Sequence, residues 1–231
     1  MIRLLAVDID GTMTYRDRRL DLAAVEAIRR AEDAGISVVI ATGNIFRFAE
    51  AAAVLIGTSG PLIAEDGGIV FDFGTEKMHV LGDRVDADRA FAELKKVFGN
   101  IETTRSNPDR LTGVVIRKTV PLEEVRRVIR ERNLPVIAVD SGWAIHLRRP
   151  EVNKGNALKK VSMITNVMPD EIAAIGDGYN DVEMLQLAGL SFAVANSVEE
   201  AKRASQRVTR FPHGRGVAEA VEEILKLTGR I

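Results

Sequence analysis

The chain has 231 residues, enough for one large domain or a core carrying a smaller insertion, and its 46% hydrophobic content fits a globular protein with a sizeable interior. With 32 basic and 33 acidic residues the net charge is -1, so no basic excess recommends a nucleic-acid ligand and no basic amphipathic tract recommends a membrane surface. The lack of cysteine excludes disulfides, thiolate zinc sites and cysteine nucleophiles, and is consistent with a cytoplasmic protein.

The N-terminal apolar run is too short for a signal peptide or a membrane span and ends in carboxylates. Residues 3–7, apolar after Arg3, read as a strand buried on both faces. Asp21 is placed to cap a helix through Ala23, Val25, Ile28 and Ala31, with Gly35 as its stop. The short charged cluster Arg16-Asp17-Arg18-Arg19 reads as a solvated turn. Residues 36–41 form a second buried strand, residues 44–56 a helix and residues 62–64 a third strand. This β-α-β-α-β order predicts a parallel sheet covered by helices. Residues 67–80 alternate around Asp72-Phe73-Gly74 as a hairpin does.

From residue 83 to residue 150 the pattern changes to helix (86–98), strands (101–105 and 111–117), helix (121–132) and strands (134–139 and 143–147). That is an α+β unit with its own core, in which Trp143 reads as a core residue and Arg148 and Arg149 as exposed hinge residues. The parallel pattern then resumes, with a helix at 153–167, a strand at 172–175, a helix at 181–188 and a strand at 191–194. Helices from about residues 197 and 216 flank a short strand at 207–210. The fold class expected is α/β: a Rossmann-like parallel-sheet core (1–82 and 151–231) with an inserted α+β cap (83–150).

Four clusters carry chemistry. In Asp8-Ile9-Asp10-Gly11-Thr12, side chains two apart on an extended chain point the same way, so Asp8 and Asp10 can share one site at a strand's carboxyl end. Such close carboxylates repel unless a cation or shared proton compensates. Ala41-Thr42-Gly43-Asn44 ends the next strand with a hydroxyl, a permissive backbone and an expected helix start, a cradle for an anion. Lys154, opening a helix in Asn153-Lys154-Gly155, opposes the helix dipole unless it meets a phosphate and a carboxylate. In Gly176-Asp177-Gly178-Tyr179-Asn180-Asp181, Asp177 ends a strand and Asp181 sits four residues on, hard oxygen ligands suited to Mg²⁺. His79, His146 and His213 show no metal-ligand spacing.

These four clusters, in this order, resemble the motifs of the haloacid-dehalogenase-like phosphatases, over nearly the whole chain. The insertion is similar to the larger α/β cap of the Cof-like branch, and chain length with Asn153-Lys154-Gly155 looks closest to the archaeal phosphoglycolate phosphatases within it. The resemblance implies a cytoplasmic hydrolase of carbohydrate metabolism that removes phosphate from a small phosphorylated metabolite through an aspartyl-phosphate. Asp8 would be the nucleophile and Asp10 the general acid and base. Mg²⁺ would be held by Asp8, the backbone carbonyl of Asp10 and Asp177, with Asp181 as ligand or support. Thr42, Gly43, Asn44, Lys154 and Asn180 would bind substrate. Departures are Met13 where Leu is common, Asn44 where many relatives carry Arg, and Asp66 in Glu65-Asp66-Gly67-Gly68 where Asn is usual. The alternatives are a sugar-phosphate or nucleotide phosphatase on the same scaffold, or a phosphoacceptor signalling module. A homodimer is compatible with the sequence.

Overall fold

In the computed structural model, which describes residues 1–230, β1 (Leu4–Val7) leads into α1 (Leu22–Asp33), β2 (Ser37–Ile40), α2 (Phe46–Ile56) and β3 (Leu62–Ala64). The hairpin strands β4 (Ile69–Asp72) and β5 (Lys77–Val80) follow, then α3 (Val85–Phe98), β6 (Val114–Arg117), α4 (Leu122–Glu131), β7 (Ile137–Asp140) and β8 (Ala144–Arg148). The chain closes with α5 (Lys154–Thr165), β9 (Ile172–Gly176), α6 (Val182–Leu187), β10 (Leu190–Ala193), α7 (Glu199–Ala204), β11 (Arg207–Val208) and α8 (His213–Thr228). No helix among the described residues is long and apolar enough to cross a membrane.

The main sheet runs β11-β10-β9-β1-β2, every pair parallel, and a bridge from Ala41 to Ile63 continues it toward β3. Parallel strands need crossovers, and the helices supply them on both faces. Alternation along β1 shows this directly. Leu5 and Val7 pack with α1 and α8 in one apolar cluster, while Leu4 and Ala6 pack with α5 and α6 in another. A strand buried on both sides must be apolar throughout, which is why residues 4–7 carry no polar side chain. As expected, Asp21 caps α1 by accepting the Ala23 N–H at 3.1 Å, and Gly35 takes the left-handed backbone (φ +76°) beyond its end.

A separate antiparallel sheet, β6-β8-β7, packs its apolar face on α3 and α4. On α4, Val125, Val128 and Ile129 fall at i, i+3 and i+4 and are buried, while the charged residues face outward. The strand expected at 101–105 reduces to a single bridge between Thr103 and Ile116. The chain turns away through a 3₁₀ turn at Asn107–Asp109, whose Pro108 has no N–H to continue a ladder.

Two further boundaries matter for the site. The helix expected from residue 44 begins at Phe46. Asn44 is held back because its N–H donates to Thr42 Oγ1 at 3.1 Å and its carbonyl accepts the Glu65 N–H at 2.9 Å. The helix expected from residue 181 is preceded by a 3₁₀ turn, Tyr179–Asp181.

Candidate active site

Strand register brings the motifs together. Val7 lies opposite Ile40 on one side and Ile175 on the other, so the residues beyond β1, β2 and β9 emerge side by side at one sheet edge. Asp8 donates its N–H to the Ile175 carbonyl at 3.0 Å, and Val7 accepts from Ala41 at 2.9 Å. Asp8, Thr42 and Asp177 thus come from three adjacent strands at the carboxyl edge, where open α/β sheets place their ligands.

Lys154, fully buried at the start of α5, spans this edge. Its Nζ donates to Asp8 Oδ1 at 2.5 Å and to Asp181 Oδ1 at 2.6 Å. The other Asp181 oxygen accepts the N–H groups of Asp177 and Gly178, both at 2.9 Å. Asp177 Oδ1 accepts from the Thr12 hydroxyl at 3.0 Å. One oxygen each from Asp8, Asp177 and Asp181 lie within 4.8 Å of one another.

The electrostatics are unbalanced. Burial pushes the Asp8 carboxyl well above its ordinary value, and Asp181 adds to this against the pull of Lys154. Burial and then Asp181 push Asp177 up to about 7. Burial alone would lower Lys154, but Asp181 and Asp8 more than reverse it, so the lysine stays charged. Three carboxylates face one ammonium, and a hard divalent cation on the open carboxylate oxygens would supply the missing charge. The donor set therefore fits a metal ion. Gly11 is required beside it. With φ +88°, a Cβ there would stand 2.3 Å from Asp177 Oδ2.

Asp10 stands beside this trio, on partners of its own. Its Oδ1 accepts from Arg18 Nε at 2.9 Å and its Oδ2 from Asn44 Nδ2 at 2.5 Å. Asn44 Nδ2 also reaches Thr42 Oγ1 at 3.0 Å, and the Arg18 guanidinium meets Asn44 Oδ1 at 3.3 Å. Arg18 is therefore more than part of a solvated turn. It places a guanidinium beside Asn44.

Across the cavity, Asp66 joins elements distant in sequence. Its Oδ1 accepts from Asn180 Nδ2 at 3.1 Å, its Oδ2 meets His146 Nδ1, and Arg110 lies 3.5 Å away. Burial acts against the Asp66 charge, yet His146, Arg110 and Arg148 hold its carboxyl far below the usual range. Glu65 beside it accepts the N–H groups of Leu111 and Thr112 and the Thr112 hydroxyl. Glu65 and Asp66 both adopt left-handed backbone, at φ 53° and 58°.

His146, Arg110 and Asp66 were not among the site residues expected from the sequence. His146 had a local signal: it alternates with Ile145 and Leu147, which face the β6-β8-β7 core, so it must point the other way. Arg148 shares that face and is buried, correcting its reading as an exposed hinge residue; its guanidinium donates to the Val152 carbonyl. Arg149 does remain partly exposed, paired with Asp86 and Glu151. Trp143 is 46% exposed on the cavity wall, not in the core. The cavity, about 230 Å³, holds Asp8, Asp10, Asn44, Asp177 and Asn180. The sequence-selected Thr42, Lys154 and Asp181 stand behind it.

The family model described as haloacid dehalogenase-like hydrolase matches residues 5–100 and 87–221. A protein named phosphoglycolate phosphatase from Methanothermobacter thermautotrophicus is 40% identical over 224 residues, covering 97% of this chain and 99% of that one. Another of that name, from Archaeoglobus fulgidus, is 41% identical over 221 residues and covers 95% and 96%. A solved structure from Thermoplasma acidophilum superposes with a TM-score of 0.88 at 28% identity, covering 100% of each chain. With the motifs on one sheet edge and matches of this extent, the chain belongs to the haloacid dehalogenase-like hydrolases.

Proposed function

We propose that this chain is a Mg²⁺-dependent phosphatase of the cytoplasm that hydrolyses 2-phosphoglycolate to glycolate and phosphate, with residues 83–150 acting as a cap over the site. The observation that carries the reading is the buried Lys154 bridge between Asp8 and Asp181, beside Asp177. The names of the two archaeal relatives support the substrate.

Lys154 occupies Asp8 Oδ1 and fixes that carboxylate, leaving Oδ2 to attack phosphorus. As the P–O ester bond breaks, its electron pair goes to the leaving oxygen and Asp10 supplies the proton. In the second half, Asp10 takes a proton from water as that water attacks the aspartyl-phosphate, and Asp8 returns as carboxylate. Arg18 and Asn44 hold the Asp10 carboxylate in place for both transfers. Lys154 and the Gly43 backbone screen phosphoryl charge, the Thr42 N–H being engaged by the Ile63 carbonyl. Mg²⁺, held by Asp8, Asp177 and the Asp10 carbonyl, would add Lewis-acid screening when bound. Asp181, with both oxygens occupied by Lys154 and two backbone N–H groups, serves to position Lys154 and the Asp177 turn.

The test is phosphate release from 2-phosphoglycolate, a hexose 6-phosphate and p-nitrophenyl phosphate, with Mg²⁺ and with EDTA. Release should require Mg²⁺, be strongest on 2-phosphoglycolate and vanish in Asp8→Asn, which leaves an amide in place of the nucleophile. Substantial turnover by that variant would refute the mechanism, and preference for the hexose ester would refute the substrate.

A further inference from the structure

The carbonyl of Gly11, beside the carboxylate trio, is held by two side chains from the far end of the chain. Its oxygen accepts Asn196 Nδ2 at 2.9 Å and His213 Nδ1 at 2.9 Å, across 185 and 202 residues. A carbonyl can only accept, so His213 Nδ1 carries a proton, and the two donors fill both lone pairs of the oxygen. Asn196 ties the pair together, its Oδ1 accepting the His213 N–H at 2.8 Å. We propose that Asn196 and His213 are positioning residues that set the affinity of the site for Mg²⁺ by holding the Asp10-Gly11 turn against the Asp177 turn. This rests on the metal-dependent reading above and assigns that site the groups that preorganise its donors.

The need for such a hold follows from glycine itself. Only glycine lets the turn approach Asp177 so closely, and glycine has the freest backbone of any residue. Part of the restraint is local. The Thr14 hydroxyl accepts the Gly11 N–H at 3.1 Å, and the Thr12 hydroxyl donates to Asp177 Oδ1 at 3.0 Å. The Gly11 carbonyl is restrained from outside the turn, by Asn196 and His213.

The segment that carries Asn196 also grips the opposing turn. Following β10, the Ser197 hydroxyl donates to the Gly176 carbonyl at 3.2 Å and the Val198 N–H to the Asp177 carbonyl at 3.0 Å. Three consecutive residues thus bond both turns that present metal donors, and they fix the gap between them. His213 is held to the same task. It opens α8 in left-handed backbone, φ +53°, uncommon outside glycine, and the Tyr15 ring meets its imidazole edge-on at 5.6 Å between centroids. Donors already held in place bind a cation more tightly than donors that must first be ordered.

The experiment is calorimetric titration of the metal-free full chain with Mg²⁺. His213→Gly keeps left-handed backbone accessible and deletes the donor. His213→Asn also tolerates that backbone and puts an amide N–H where the imidazole had Nδ1. His213→Gly should raise the Kd about tenfold, and His213→Asn should return it to within about threefold of wild type. Asn196→Ala removes the other donor and should raise the Kd by about tenfold too, so the outcome does not hang on one variant's folding. Wild-type affinity in both His213→Gly and Asn196→Ala would overturn the inference. Equal losses in His213→Gly and His213→Asn would also overturn it, because ring packing on Tyr15, and not the bond to Gly11, would then set the affinity. A wild type that binds no Mg²⁺ and releases phosphate in EDTA would overturn the metal-dependent reading itself.

Discussion

In metal-free protein, Asp177→Asn should make stability less dependent on pH. The Asp177 carboxyl is pushed from 3.8 up to about 7 by burial and then by Asp181. Between those values the folded protein holds a proton that the unfolded chain has lost, so stability falls as pH rises through that window. At 1.36 kcal/mol per pH unit the full loss is about 4 kcal/mol, an upper figure, because Asp177 keeps some solvent contact that screens its neighbours. The assay is urea unfolding followed by circular dichroism in EDTA, for wild type and variant, at about pH 5 and about pH 8. Asparagine can still accept from Thr12 but carries no charge. The variant should therefore gain about 2–3 kcal/mol on wild type between the two conditions. Adding Mg²⁺ at the higher pH should raise wild-type stability and leave the variant where it was. Parallel pH profiles for the two proteins in EDTA would refute the picture of a cation-deficient carboxylate cluster.

Other perturbations probe the same site from different sides. Lys154→Met leaves Asp8 and Asp181 buried without their ammonium, so metal-free protein should lose about 3–5 kcal/mol in urea unfolding; an unchanged midpoint would mean that water already compensates those charges. Gly11→Ala forces a Cβ toward Asp177 Oδ2 from a left-handed backbone, and calorimetric titration should show Mg²⁺ affinity falling at least about tenfold. Asp66→Ala strips His146, Arg110 and Asn180 of their shared carboxylate and should cost about 3–5 kcal/mol. A loss below about 1 kcal/mol in that variant would show that Glu65 alone holds the Leu111–Thr112 segment.

The motifs that meet at one sheet edge were legible because each comes directly after a buried apolar run or opens a helix. Residues 4–7 and 172–175 can only be central strands, and the residues at the end of such a strand land on a sheet edge. Asp21 and Gly35 were legible for a local reason too, since capping and left-handed backbone depend on a few neighbouring residues. The strand expected at 101–105 failed because a bridge-forming segment and a strand share the same composition, and Pro108 decided between them. Arg18 was read as solvated from its charged neighbours, yet its partner Asn44 lies 26 residues away.

The sequence by itself determined where the candidate groups stand along the chain: carboxylates at Asp8, Asp10, Asp177 and Asp181 and the lysine Lys154, each tied to a strand end or helix start by short-range pattern. Only the tertiary structure decided which charges meet. Lys154 reaches Asp8 across 146 residues and His146 reaches Asp66 across 80, and burial rather than residue type sets how strongly each is perturbed. Local propensity acts over a few residues, whereas desolvation and ion pairing depend on everything packed around a group. For that reason the cluster of Asp66, His146 and Arg110 became visible only in the folded chain.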